Sequence, residues 1–151
     1  VGVAYAFETR WSLPAEPSRC WQELERMLRE GAVAWWPGVR VEPAPVIARP
    51  GAACTLVVRS PLGYRLRTRV RITAVDAGRR LAADADGDLS GRGSIDVWAV
   101  EAGCILHFRW DVTTRRPWMN ALAPFLHPMF RAAHDRVMVR GERGLRAVLA
   151  G

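Results

Sequence analysis

Residues 117–149 read PWMNALAPFLHPMFRAAHDRVMVRGERGLRAVL, the one stretch long enough to give a whole domain its core helix. From Met129 onward, Phe130, His134, Val137, Met138, Gly141, Leu145 and Val148 recur at three- and four-residue spacing. That spacing puts them on one helical stripe. Arg131, Asp135, Arg136, Arg140, Glu142, Arg143 and Arg146 fall on the other side. Pro124 and Pro128 lack an N–H and are expected to kink or break the segment ahead of Met129. WMNALAP, residues 118–124, then becomes a separate turn or gate at the helix entry. The apolar stripe needs a concave apolar partner.

The chain before it supplies one as alternating strands. Val3, Tyr5, Phe7, Thr9, Trp11 and Leu13 share one face of residues 3–13, a period of two that reads as a half-buried strand. Pro17 suits the first turn of a helix running to about Arg29, with Trp21, Leu24 and Leu28 on one face and Gly31 as its cap. Residues 33–36 read as one further helical turn, ended by Pro37-Gly38. A meander follows. Residues 39–48 form a strand interrupted by Pro43 and Pro45, and residues 54–59 form another. Residues 64–75 carry Leu66, Thr68, Val70 and Ile72 on one side and Arg65, Arg67, Arg69 and Arg71 on the other. Strands at 81–87, 94–100 and 104–114 complete the set. Leu81, Ala83, Ala85, Ile95, Val97, Ala99, Cys104, Leu106, Phe108, Trp110 and Val112 face inward. Gly87, Gly91 and Gly93 suggest a bulge or sharp bend.

Strands joined by short turns form an antiparallel sheet with one wet face. The arginine stripe is therefore a solvated outer face, with Asp84, Asp86, Asp96 and Asp111 available to pair with it. The whole reads as one domain over residues 1–151, of α+β class.

Composition narrows the function. Half of the residues are apolar and a quarter charged, as in a soluble globular chain. No apolar run is long enough to span a membrane. VGVAYAFETRW enters a strand pattern at once, without the basic and apolar regions of a secretory signal. The net charge is +7, but all 22 basic residues are arginine. No basic run carries interleaved aromatics, so nucleic acid is not the expected partner. Cys20, Cys54 and Cys104 are widely spaced and odd in number, which argues against a disulfide framework or a zinc site. They read as small buried hydrophobes in a reducing cytoplasm.

The order strand, helix, short helix, about six meandering strands and long C-terminal helix resembles the START-like, or helix-grip, superfamily (SRPBCC). The strings FETRWSLPAEPSRCWQEL, WWPGV, YRLRTRVRITAV, GDLSGRG, FRWDVTT and WMNALAPFLHPMFRAAHDRVMVRGERGL resemble its polyketide cyclase/dehydrase-like subgroup over nearly the whole chain. The resemblance implies a curved antiparallel sheet of six or seven strands wrapped around the C-terminal helix, two short helices after the first strand, and an apolar cavity between sheet and long helix. It carries over no catalytic motif.

The expected cavity wall is aromatic: Trp11, Tyr64, Phe108, Trp110, Trp118, Phe125 and Phe130. Wide rings with few polar groups suit a flat or lipid-like ligand, and the resemblance implies a polyketide-like one. Thr9, Thr68, His134 and Asn120 join Tyr64 as the polar groups on inward positions. No inward carboxylate pair is present, and no GxSxG, HExxH, P-loop or GxGxxG motif. No metal or cofactor is expected. His134 and Asp135 are adjacent and diverge by about 100° on a helix, so they form no dyad. Three functions remain: binding of a hydrophobic small molecule, a polyketide cyclase or dehydratase using Tyr64 or His134 as acid or base, and an interaction or regulatory module.

Overall fold

The computed structural model describes residues 3–151, apart from the side chains of Ala123, Phe125 and Leu126. The first strand, β1 (Ala4–Leu13), buries Tyr5, Trp11 and Leu13, half-buries Phe7 and Thr9, and exposes Ala6, Glu8, Arg10 and Ser12 between them. Helix α1 (Pro17–Glu30) starts on Pro17 and ends on Gly31, whose φ of 87° closes the last turn by an N–H to the Met27 carbonyl. Six further strands follow: β2 (Val39–Glu42), β3 (Ala53–Arg59), β4 (Arg65–Asp76), β5 (Arg80–Gly87), β6 (Leu89–Val100) and β7 (Gly103–Thr114). Helices α2 (Pro117–Ala121) and α3 (Ala123–Ala150) end the chain. The seven strands form one antiparallel sheet in the order β1-β7-β6-β5-β4-β3-β2, curled into a half-barrel around α3. No helix among the described residues is long and apolar enough to cross a membrane.

Several sequence expectations give way to tertiary constraints. Residues 33–36 are a turn rather than a second short helix. Ala32 bridges to Arg40, so the chain doubles back at once, and only Trp36 N–H to the Val33 carbonyl (3.2 Å) has helical character. The strand from Val39 stops at Glu42, because Pro43 and Pro45 cannot donate to a ladder. Beyond them Val46 donates to the Leu28 carbonyl and packs on the end of α1 instead.

Strand β6 starts at Leu89, five residues before the expected start. Gly91 and Gly93 make no bulge but pair in unbroken register with Val112 and Trp110 of β7. A side chain at Gly93 would collide with the Trp110 ring, so glycine lets the indole lie across the sheet. The bulge sits in β4, between Ile72 and Ala74. Ala99, expected inside, is exposed near the β6–β7 turn.

Helix α3 also runs longer than expected. Pro124 occupies its first turn, where no N–H is needed, and Pro128 stands on the exposed side without ending it. The break falls at Leu122, and the Pro117–Ala121 turn ahead of it is α2. The buried stripe is Phe130, Ala133, Met138, Leu145 and Leu149. Val148 is 40% exposed, and Leu149, four residues after Leu145, takes the buried place.

Trp36 Nε1 donates to the Val137 carbonyl (3.0 Å), and Trp35 packs behind it. Gly141 and Gly144 permit this close approach: a Cβ on Gly141 would lie 2.6 Å from the Trp11 ring, and one on Gly144 would run into the Trp35 carbonyl. At the edge strand, Glu142 accepts the Ser12 N–H (3.0 Å) and Arg146 donates to the Ser12 carbonyl (2.8 Å).

The arginine stripe lies on the outer face. Arg65, Arg67, Arg69 and Arg71 are all exposed; Arg69 meets Asp86 at 3.1 Å, and Arg67 pairs with Glu42. Asp84 stands opposite Arg71 in the β4–β5 register. Asp96 and Asp111 belong to β6 and β7, beyond β5, and face Arg80 and Arg92 instead. Exposed pairs of this kind add little stability. Replacing Arg69 and Arg71 together with Gln should shift Tm by no more than about 2 °C, as thermal denaturation followed by circular dichroism will show.

Candidate functional site: an apolar cavity under the sheet

A cavity of about 250 Å³ lies between the concave face of the sheet and the helices. The alternation of β3 to β6 builds its floor from Leu56, Val58, Leu66, Val70, Leu81, Ala83 and Ile95. Phe108 and Trp110 enter from β7, Tyr5 and Phe7 from β1, Tyr64 from the turn before β4, and Trp36 from the turn after α1. Helix α3 closes the top with Phe130, Ala133, His134, Val137 and Met138. Arg109 is the charged residue at this wall, but its position is exposed and it stands opposite Glu8 in the β1–β7 register. Its charge helps to hold the Glu8 carboxyl below the usual range, behind the hydrogen bond from His107.

Of the residues expected at the site from sequence, Tyr64, Thr68, Phe108, Trp110, Phe130 and His134 stand at the wall. Trp11 does not. It is fully buried one layer back, its ring 4.5 Å from Phe108 and 5.0 Å from Trp36. Trp118 is 38% exposed on α2 and meets Tyr64 and Phe130 edge-on from outside. Asn120 is committed to the protein, its Oδ1 accepting the Thr114 hydroxyl at 2.6 Å. The Phe125 side chain lies outside the described residues. Thr9 is half-buried on β1 and is not part of the wall.

Other wall residues escaped the sequence reading. Tyr5 and Phe7 were legible as inward positions but not as cavity rather than core. Ser60 and Ser94 sit at a turn and within the misread start of β6, where the local pattern carries no inward signal.

The α3–β1 seam is a stack of rings. His127 lies on Tyr5 with centroids 4.4 Å apart, Tyr5 on Phe7 at 5.4 Å, and Phe7 on His134 at 4.0 Å, all within 16° of parallel. His127 and His134 are seven residues apart on α3, and Tyr5 and Phe7 are two apart on β1. Two helical turns, about 10.5 Å, thus bracket the two rings of one strand repeat, about 6.6 Å apart along β1.

Nδ1 of His134 is buried with no hydrogen-bond partner among the described residues. Asp135 Oδ1 stands 3.8 Å away, beyond hydrogen-bonding distance. Burial holds the imidazole below its usual pKa, with the Asp135 charge pulling the other way. The ring is accordingly neutral at neutral pH. Because folding lowers this pKa, its contribution is complete above the unfolded value of about 6.5 and is lost as pH falls below it. The parent protein should thus lose more Tm than His134→Phe between about pH 7.5 and pH 5. Parallel melting curves check this, and equal losses would place the imidazole in a solvated setting.

The remaining polar groups are partly engaged. Burial pushes the Tyr64 phenol up, while a hydrogen bond with Ser60 pulls it down. The Tyr5 hydroxyl is buried and without a partner among the described residues. Among the same residues, no three His, Cys, Asp or Glu side chains gather into a metal-ligating group. Cys20 and Cys104, 84 residues apart, meet with sulfurs at 2.6 Å between α1 and β7, both as free thiols. Their spacing in the chain could not reveal this contact.

No protein-family model matches the sequence, and no curated relative does. Solved structures do match in shape. The Zhui aromatase/cyclase from Streptomyces sp. R1128 superposes with a TM-score of 0.74 at 17% identity, over 98% of this chain and 94% of that one. The di-domain aromatase/cyclase StfQ of the steffimycin biosynthetic pathway superposes at 0.65 and 14% identity, over 99% of this chain and 53% of that one. TTHA0849 from Thermus thermophilus superposes at 0.66 and 17% identity, over 97% of this chain and 99% of that one. The chain thus has the helix-grip fold that these aromatase/cyclases share, a curled seven-stranded antiparallel sheet around its C-terminal helix.

Proposed function

We propose that the protein binds an uncharged hydrophobic small molecule in the cavity between the sheet and α3. The observation that carries this reading is an apolar cavity of about 250 Å³ whose wall turns no charged side chain inward. Burying an ion there would cost far more than its apolar part returns. A dry apolar cavity of about 150 Å³ in another protein takes up benzene, so this one has room for a flat ligand of two fused rings. Tyr64, Thr68, Phe108, Trp110, Phe130 and His134 are the residues proposed to contact it.

A second reading, a cyclase or dehydratase acting on a polyketide-like chain, is favoured by one feature of the site. His134 stands at the cavity wall and burial holds its ring in the neutral form, the state required of a general base. Tyr64, protonated through burial, would act as the acid.

The test of the first reading is titration with N-phenyl-1-naphthylamine, an uncharged dye that brightens in apolar surroundings. One dye per protein at micromolar affinity is expected. Absence of saturable binding would sink the reading and favour an interaction module. Native mass spectrometry of protein from its own host would then identify the ligand class. His134→Phe separates the two readings. A binding protein keeps its affinity for the dye within about threefold, because the ring is replaced by one of similar shape. An enzyme loses turnover by about a hundredfold or more.

A further inference from the structure

We infer that Cys20 and Cys104 are a disulfide-forming pair, a modification site that clasps α1 to β7 when the chain folds in the presence of a low-molecular-weight disulfide such as oxidised glutathione. The inference stands apart from the ligand-binding reading and needs no ligand.

The two sulfurs stand 2.6 Å apart, about 0.6 Å beyond a disulfide bond length of about 2.04 Å. Side chains that only pack stay at van der Waals separation, which is much wider. The surrounding core keeps the sulfurs facing each other. Cys20 lies on the buried side of α1 with Trp21, Leu24 and Met27. Cys104 is held in register between Leu13 of β1 and Ala99 of β6. Both belong to one core cluster with Trp11 and Leu106. Cys54 is half-buried on β3, takes no part in this contact, and is left over as the odd thiol.

Both sulfurs are fully buried in the finished fold, so the oxidant meets them while α1 and β7 are closing on each other. One cysteine thiolate attacks a sulfur of oxidised glutathione and expels one glutathione thiolate. The other cysteine, brought up as α1 docks, gives its proton to solvent and attacks the protein sulfur of that mixed disulfide, expelling the second glutathione. Two thiols become one disulfide, and one oxidised glutathione becomes two reduced ones. Burial then shields the bond from reductants. It joins residues 84 apart in the chain, so it removes much of the freedom of the unfolded state and should raise Tm by about 10 °C.

The test refolds the reduced full chain in a mixture of oxidised and reduced glutathione, and in parallel with a phosphine reductant. Each product is alkylated in denaturant, weighed intact and mapped after trypsin digestion. From the glutathione mixture, one alkyl group is expected, on Cys54, with the peptides of Cys20 and Cys104 linked. Melting curves of the two products should differ by the rise given above. Alkylation of all three cysteines, linkage through Cys54, or a linked protein that melts no higher than the reduced one overturns the inference. Cys20→Ala should melt at the same temperature from both buffers, and a rise in that variant would equally overturn it. Should Cys20→Ala fail to fold, the peptide map of the parent decides alone.

Discussion

Phe108→Arg should abolish binding of N-phenyl-1-naphthylamine, weakening it by at least about a hundredfold. Phe108 reaches the cavity from β7 and packs against both Trp11 and Trp36. A guanidinium at this position must either sit in an apolar cavity without a counter-ion or push the neighbouring indoles apart. Each costs several kcal/mol, and either route removes the surface that a ligand would cover. Arg109→Ala, one residue along the strand on the outer side, is the matched control and should change affinity less than about twofold. Fluorescence titration of the two variants, with circular dichroism to verify folding, decides the matter. A folded Phe108→Arg protein that binds the dye as tightly as its parent would show that the dye sits elsewhere.

The largest effect on stability is expected at Leu145. It is fully buried on α3, within the cluster that includes Trp11, Trp35 and Leu106. Leu145→Ala removes three carbons and leaves a hole that large neighbouring rings cannot collapse to fill, for a loss of about 3–5 kcal/mol. Tm should fall by about 8 °C or more. Val148→Ala, three residues on, should cost less than about 1 kcal/mol, because that side chain is 40% exposed. Chemical denaturation of both variants measures the contrast. Similar losses at the two positions would put the helix in the rotation that the apolar spacing of the sequence favoured, with Val148 on the buried stripe.

That contrast marks the limit of local reading. Val148 and Leu149 are both apolar, and both fall near the edge of a stripe drawn at three- and four-residue spacing. Choosing between them requires the axis of α3 relative to the sheet, and Trp35 and Trp36 set that axis from more than 100 residues away by pressing on Gly141 and Gly144. The same limit applies at β6, where Gly91, Arg92 and Gly93 read as a bend. They are strand because β7 offers a ladder and the Trp110 ring needs the room.

The sequence by itself determined most of the elements and, along β1, β4, β7 and most of α3, the side that faces inward. A two-residue period in β1, β4 and β7 and a stripe along α3 are properties of neighbouring residues, and the solvent decides them locally through the cost of exposing apolar surface. The outer placement of Arg65, Arg67, Arg69 and Arg71 follows in the same way. Only the tertiary structure decided which inward residues fill the core and which line a cavity. Trp11 and Phe108 are both inward aromatics on adjacent strands, yet Trp11 is enclosed by Trp35 and Trp36 while Phe108 faces open space. The unsatisfied Tyr5 hydroxyl and His134 nitrogen were equally beyond the sequence. Whether a buried polar group has a partner depends on atoms brought within about 3 Å by the curl of the sheet, a distance that spacing along the chain does not encode.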